Sequence, residues 1–322
     1  MSAAFASYVV RRLAVAAVLL VILSFAIFSL LHLAPGDPIQ ALIGVGAAPS
    51  PQTVRILRQE YHLDLPFLEQ YWLWLKGVIF HLDFGQSITT HVSVTDTIKQ
   101  RLPITLFLGT YAFVLTMTFG VSLGMLAAVK KQSVLDRGIV AGVLLGVSTP
   151  AFVSGILLLY VFSVALPWFP SFGAGSGFVD RLWHLTLPAI AMALADTAMI
   201  VKQTRASMLN VLDQDYMTFA RARGLSMWRC LYLYGLRNAL IPVVTVGGFL
   251  LSFLLTSAVL VEITFSLSGV GSTLVNAATA KDIPLLQGVA LLVATAIILG
   301  NLLADLAYMA VDPRIRIGGR TR

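Results

Sequence analysis

Six long stretches of this chain are almost free of charge, and no other feature limits its fold as strongly. Leu13 to Leu31 has only serines as polar members, and Leu102 to Val129 is uncharged. Gly138 to Val179 is uncharged over 42 residues. Leu182 to Val201 is broken by Asp196, and Ala239 to Val261 and Ile283 to Ala304 complete the set. A transmembrane helix needs roughly 20 apolar residues. In lipid the backbone must satisfy its own hydrogen bonds, so runs of this kind predict spanning helices. The 42-residue run is too long for one crossing. It predicts a helix over about 138–165 followed by a loop at Pro167, Pro170, Gly173, Gly175 and Gly177. Pro103 is expected at the start of its helix, where a missing N–H is tolerated.

Composition agrees: 58% of residues are hydrophobic and 11% charged, against roughly 25% charged in soluble domains. The expected fold class is an all-α membrane protein with about six transmembrane helices. Residues 1–34 hold the N-terminal segment and a first helix read as retained rather than cleaved as a signal. Residues 35–100 form an extracytoplasmic loop. Residues 101–311 form a five-helix core containing an inside segment at 202–238, and 312–322 form a tail.

Six spans put both termini on one side. With the termini inside, the inside segments hold Arg11, Arg12, Lys130, Lys131, Arg137, Lys202, Arg205, Arg221, Arg223, Arg229, Arg237, Arg314, Arg316, Arg320 and Arg322. The outside segments hold Arg55, Arg58, Lys76, Lys99, Arg101, Arg181 and Lys281. That bias places the termini in the cytoplasm. The net charge of +7 is therefore read as an orientation signal and not as a nucleic-acid surface. Cys230 is the single cysteine, which excludes an intrachain disulfide and Cys–Cys metal motifs. The five histidines show no close metal-ligand spacing.

In the outside loop Phe67, Tyr71, Trp72, Trp74, Leu75 and Phe80 fit a helix at the lipid–water interface, a docking surface, or both. Inside, residues 213–232 read as two short helices. Asp213 or Asp215 can cap the first, Gly224 can end it, and Ser226 can cap the second. Trp228, Leu231, Tyr232 and Gly235 follow at helical spacing. Asp196 within a span points to a translocation path or to a hydrogen bond with a neighbouring helix, since a buried carboxylate is costly alone. Glu262 is a candidate for an external gate, and Asp305 for an interfacial or helix-packing role. Gly120 with Gly124, and Gly142 with Gly146, are small-residue pairs that permit close helix contact.

The inside segment carries a resemblance. Asp215-Tyr216 through Ala220-Arg221-Ala222-Arg223-Gly224-Leu225, then Leu236-Arg237-Asn238-Ala239-Leu240-Ile241-Pro242, resembles the cytoplasmic motif of the B-type permease subunit of oligopeptide, dipeptide and nickel ABC importers. The general motif begins Glu-Ala-Ala, with glycine four residues after the last alanine. Ala220 and Gly224 keep that spacing, while Thr218 and Phe219 replace Glu-Ala. Pro35-Gly36-Asp37-Pro38, Arg101-Leu102-Pro103, Thr204 to Leu209, Val261-Glu262, Gly269-Val270-Gly271 and Asp312 to Arg316 extend the likeness along nearly the whole chain.

The resemblance implies a type I ABC importer permease bundle. It implies a related C-type permease, one or two ATPase subunits, an extracytoplasmic substrate-binding protein and membrane lipid as partners, with no nucleic acid. Tyr216, Phe219, Ala220, Arg221, Arg223, Gly224 and Leu225 would couple the chain to the ATPase, with Asp196 and Glu262 as candidates for the path. ATP and Mg would be bound by the partners, and this chain would hold no cofactor and do no covalent chemistry. In agreement, no lysine follows a glycine, so a phosphate-cradling Gly-Lys-Ser/Thr loop is missing. Oligopeptides, dipeptides, glutathione and nickel chelates all fit as substrates. An ion-coupled secondary transporter is the alternative. It would need a coupling-ion site and commonly an inverted repeat, and the sequence shows no clear repeat. A membrane-embedded enzyme would need a catalytic cluster in the spans, and none is evident.

Overall fold

The structure, a computed structural model, describes residues 3–33, 52, 55 and 64–311. The Pro35-Gly36-Asp37-Pro38 motif and the Asp312 to Arg316 tail lie outside the described residues. The chain forms α1 (Ala3–Leu33), α2 (Phe67–His81), α3 (Val94–Val129), α4 (Val134–Ser148) and α5 (Ala151–Leu159). It continues with α6 (Gly177–Leu212), α7 (Asp215–Ala222), α8 (Met227–Cys230), α9 (Arg237–Thr264), α10 (Val270–Thr279) and α11 (Ile283–Val311). Wider π-helical turns follow α5 at Tyr160–Ala165 and α8 at Leu231–Leu236. Among the described residues no strand forms, and one isolated bridge joins Gln86 to Ser93.

Five helical segments are long and apolar enough to cross a membrane alone, and α4 with the α5 segment makes a sixth span bent by 102°. The bend has a local cause. Pro150 has no N–H to continue α4 and holds Thr149 extended, at φ −103° and ψ 120°. The expected continuous helix over 138–165 is therefore two pieces, and Pro150 is what the length argument overlooked. Pro103 also differs from expectation. α3 begins at Val94, so Pro103 lies inside the helix and not at its start.

Whether the bent pair crosses or turns back is settled by its neighbours. α3 and α6 run parallel, because their contacts advance together along both. Tyr111 Oη lies 3.2 Å from Thr186 Oγ1. Gly120 lies against Ile200, and Gly124 against Val201 and Thr204. Two consecutive parallel spans need a return crossing between them. The bent pair supplies it, meeting α6 in reverse order. Asp136 bonds Arg205, Gly146 faces the Leu194 carbonyl, Gly155 faces Ala191, and Phe169 packs on Trp183. Six crossings result.

The α3–α6 contact is close because glycine permits it. A Cβ on Gly120 would stand 2.5 Å from Ile200 Cγ2, and one on Gly124 would stand 2.6 Å from Thr204 Cβ. The second small-residue pair behaves differently. A Cβ on Gly146 would stand 3.1 Å from the Leu194 carbonyl oxygen, whereas one on Gly142 would meet nothing within 4 Å. α9 and α11 also meet closely, at Gly248 and Ala304. α1 packs at the edge, with an ion pair from Arg12 to Asp305 at 3.0 Å. Its Val10, Val18 and Ile22 point outward, an apolar exterior that suits lipid as the solvent.

α2 rests on the C-terminal end of α1. Phe25 and Phe28 pack against Phe67 and Tyr71, and Phe28 also meets Trp74. Ser24 and Tyr71 share a hydrogen bond of 2.8 Å. Leu68, Trp72, Ile79 and Phe80 are left on the free surface of α2, as an interfacial helix requires.

Replacing Gly124 with valine should destabilise the bundle by about 1–3 kcal/mol through overpacking. Gly142→Ala, in open space, should leave stability unchanged or slightly raised. Thermal unfolding of the purified variants checks both.

Candidate coupling elbow and buried acids

Between α6 and α9 the chain makes a compact elbow at one end of the bundle. α6 ends at Leu212, and α7 follows after Asp213 and Gln214. The N-cap position is Gln214, with no side-chain cap, and Asp215 lies in the first turn. The expected carboxylate cap thus becomes a charge placed favourably near the helix N-terminus. Gly224 turns the chain after α7 at φ +80°, a conformation glycine adopts without strain. The Gly224 N–H donates to Arg221 O at 2.9 Å, and the Leu225 N–H to Ala220 O at 3.3 Å. Ser226 occupies the N-cap position of α8 without a side-chain hydrogen bond.

The elbow has an inner and an outer face. Met217, Ala220 and Cys230 are buried in one cluster, with Val211, Leu212 and Leu225 packed against it. Leu231 and Ala239 join Met208 and Ala128 in the next cluster. Gly235 allows Met208 Sδ to approach, with a Cβ there only 3.3 Å from the sulfur. Outside, Phe219 is 70% exposed, Trp228 68% and Tyr232 75%. Tyr216, Arg221, Arg223 and Gly224 are also open. Of the seven residues singled out in the sequence, Ala220 and Leu225 turn inward and the other five outward. The small side chain of Ala220 admits the elbow's own core and does not open a surface. Trp228 and Tyr232, read only as a helical stripe, share the outer face.

A half-buried ion pair braces the elbow's base. Arg205 Nε and Nη2 donate to Asp136 Oδ1 and Oδ2 at 2.7 and 2.8 Å. The Gln132 N–H donates to Asp136 Oδ2 at 2.9 Å, and Ser133 Oγ accepts from the Asp136 N–H at 3.2 Å. This bidentate grip ties the turn before α4 to α6. The sequence reading treated Arg205 only as an orientation charge and passed over Asp136. The distance of 69 residues hides the pairing.

The two intramembrane acids have opposite environments. Asp196 lies midway along α6, is partly exposed, and has no hydrogen-bond partner among the described residues. Glu262 is fully buried. Its carboxylate accepts from Thr105 Oγ1 and, at 2.9 Å, from the Ser272 N–H at the start of α10. Thr105 Oγ1 in turn accepts from the Val270 N–H at 2.8 Å. Gly269 and Gly271 are required here, since a Cβ on Gly269 would overlap the Glu262 carboxylate and one on Gly271 would stand 2.6 Å from Val259 Cα. Glu262 is enclosed, and its geometry is that of a strut beneath α10.

At the same end of the bundle Asp282 holds the loop before α3. It accepts from Ser87 Oγ, from Thr89 Oγ1 at 2.6 Å, and from the N–H groups of Ile88 and Thr89, both at 3.2 Å. Burial alone would push its carboxyl up, but these hydrogen bonds outweigh that and hold it below the usual carboxylate value. A depressed carboxyl contributes stability above its unfolded value, and that stability is lost as pH falls through the folded value. Loop 86–90 should therefore keep its hydrogen-exchange protection down to the ordinary carboxylate range and lose it only below. Asp282→Asn should loosen it already at neutral pH, and exchange mass spectrometry reads both.

With this geometry in view, comparison with known proteins is informative. Residues 120–317 match the family described as binding-protein-dependent transport system inner membrane component. Residues 5–109 match the corresponding N-terminal membrane-component family. A putative peptide transport system permease protein of Brucella abortus (strain 2308) is 39% identical over 312 residues, 96% of this chain and 98% of that one. The glutathione transport system permease protein of Escherichia coli O1:K1 / APEC is 38% identical over 310 residues, 96% and 99% of the two chains. Among solved structures, an inward-facing MetNI methionine ABC transporter chain aligns with a TM-score of 0.57 at 16% identity. The alignment covers 67% of this chain and 96% of that one. That likeness speaks to the fold alone.

Proposed function

The chain belongs to the family of binding-protein-dependent transport system inner membrane components, and on that premise we propose that it is a permease subunit of an ATP-driven peptide importer. The observation that carries this reading is the 39% identity to a curated peptide permease across 96% of the chain. The elbow gives it a mechanism. A second, C-type permease would complete the path, and one or two ATPase subunits would bind ATP and Mg. A substrate-binding protein would deliver peptides from outside. This chain performs no covalent chemistry.

Orientation follows from the basic residues. The elbow and both termini face the cytoplasm of a cell inner membrane, which puts Arg221 and Arg223 where an ATPase surface lies. Phe219, Trp228, Tyr232 and Tyr216 offer apolar contact, and the arginines steer an acidic partner. The elbow is packed to the end of α6 by Met217, Ala220 and Cys230, and Leu231 packs with Met208 of α6 and Ala239 of α9, so a push on it moves spanning helices. The Asp136–Arg205 pair carries that motion to α4. Asp196 then acquires a role. A carboxylate at membrane depth without a partner among the described residues belongs beside water or the second permease.

Gly224→Asp tests the coupling. A Cβ at Gly224 meets nothing within 4 Å, and aspartate tolerates positive φ better than most residues. The variant should insert and assemble normally, while peptide uptake by the complex falls roughly tenfold, within the ordinary range for coupling between sites. Uptake should persist under a proton uncoupler while ATP is maintained. Wild-type transport by Gly224→Asp at equal expression would overturn the elbow's role. Abolition of uptake by the uncoupler would favour an ion-coupled transporter.

A further inference from the structure

The end of the bundle away from the elbow carries a polar pocket that the preceding reading leaves unassigned. It has a volume of about 620 Å³ and lies between the start of α3, the loop after α9, α10 and the start of α11. Thr97, Gln100, Arg101, Thr273 and Asn276 are among its walls. Val92, Ile263, Leu267 and Leu285 add an apolar share to the same wall.

Arg101 is the unusual member. Its Nε is buried and has no hydrogen-bond partner among the described residues. Its Nη1 reaches only the Ser268 carbonyl, at a long 3.4 Å. Among the described residues no ion pair engages it. Neither of the two acids that border the pocket forms an ion pair with Arg101. Glu262 is bound by Thr105 and Ser272, and Asp282 by Ser87, Ile88 and Thr89. Arg205 shows the contrast within this protein, since its Nε and Nη2 both grip a carboxylate. A guanidinium presents a planar fork of donors that matches a carboxylate. Leaving such donors unmet costs free energy that a bound anion recovers.

We infer that this pocket binds a carboxylate through Arg101, and that the carboxylate is the C-terminal group of a substrate peptide entering the permease. The hydroxyls and amides of Thr97, Gln100, Thr273 and Asn276 would then meet the polar backbone of the last residues. The peptide part of the inference rests on the proposed importer function. The anion-binding part rests on the pocket alone.

The test uses the complete complex with its partner subunits in nanodiscs and one introduced cysteine, Asn276→Cys. Native Cys230 is fully buried and stays in place. Modification rates are measured for an anionic and a cationic methanethiosulfonate. The anionic reagent should be favoured. Arg101→Gln should reduce that preference about tenfold, the scale of one charge acting across a partly desolvated pocket. Arg101→Lys, which keeps the charge, should retain most of it and shows whether the site survives substitution. A pool of dipeptides should slow labelling, and the same pool with amidated C-termini should not. Three results would each overturn the inference in a complex that still takes up peptides: an anion preference indifferent to Arg101, equal protection by acids and amides, or no protection by either. A complex that takes up no peptide would overturn the importer function itself.

Discussion

The parallel contact between α3 and α6 is the constraint on which the rest of the bundle depends. Two helices that pack side by side in the same direction, with one segment between them, force that segment to recross the membrane. Gly120 and Gly124 make the contact possible by letting Ile200, Val201 and Thr204 approach the α3 backbone. In lipid there is little hydrophobic gain from bringing two apolar helices together, so close packing of this kind holds much of the structure. The bent α4–α5 crossing, the placement of Asp136 beside Arg205 and the position of the elbow all follow from it.

Charge is handled by position. Asp136 with Arg205, and Arg12 with Asp305, join helices near the elbow end of the bundle. At the other end Glu262 and Asp282 each accept several hydrogen bonds from the chain's own hydroxyls and backbone N–H groups. The end away from the elbow is thereby fixed by carboxylates acting as hubs, with α10 and loop 86–90 pinned to α9 and the start of α11. Asp196 stands apart because no hub surrounds it. The contrast separates acids that hold the fold from one that the fold leaves available.

Much of this was legible in the sequence. Charge-free runs located the spans, and the glycine pair at 120 and 124 marked a close helix–helix contact. Gly224 was readable as a helix end because positive φ has few other solutions. The 42-residue run without charge was harder, since length counts residues but does not register a proline that stops a helix partway. Pro150 carried that signal. Long-range polar pairing left no trace: Asp136 with Arg205, Thr105 with Glu262 and Ser87 with Asp282 are far apart in the chain and share no local pattern. Nor does spacing distinguish Ala220 from Phe219 by direction. Small and large residues alternate across both faces of α7, and only the packing of Met217 and Cys230 decides which face is inside.

The central claim is that the outer face of the elbow is gripped by a separate motor. Photo-cross-linking from single sites in native membranes tests it most directly. A benzophenone side chain at Phe219, on the exposed face, should capture a nucleotide-hydrolysing protein. One at Met217, fully buried beneath it, should capture only this chain. Capture of no ATPase from position 219 in membranes that actively take up peptide would contradict the account.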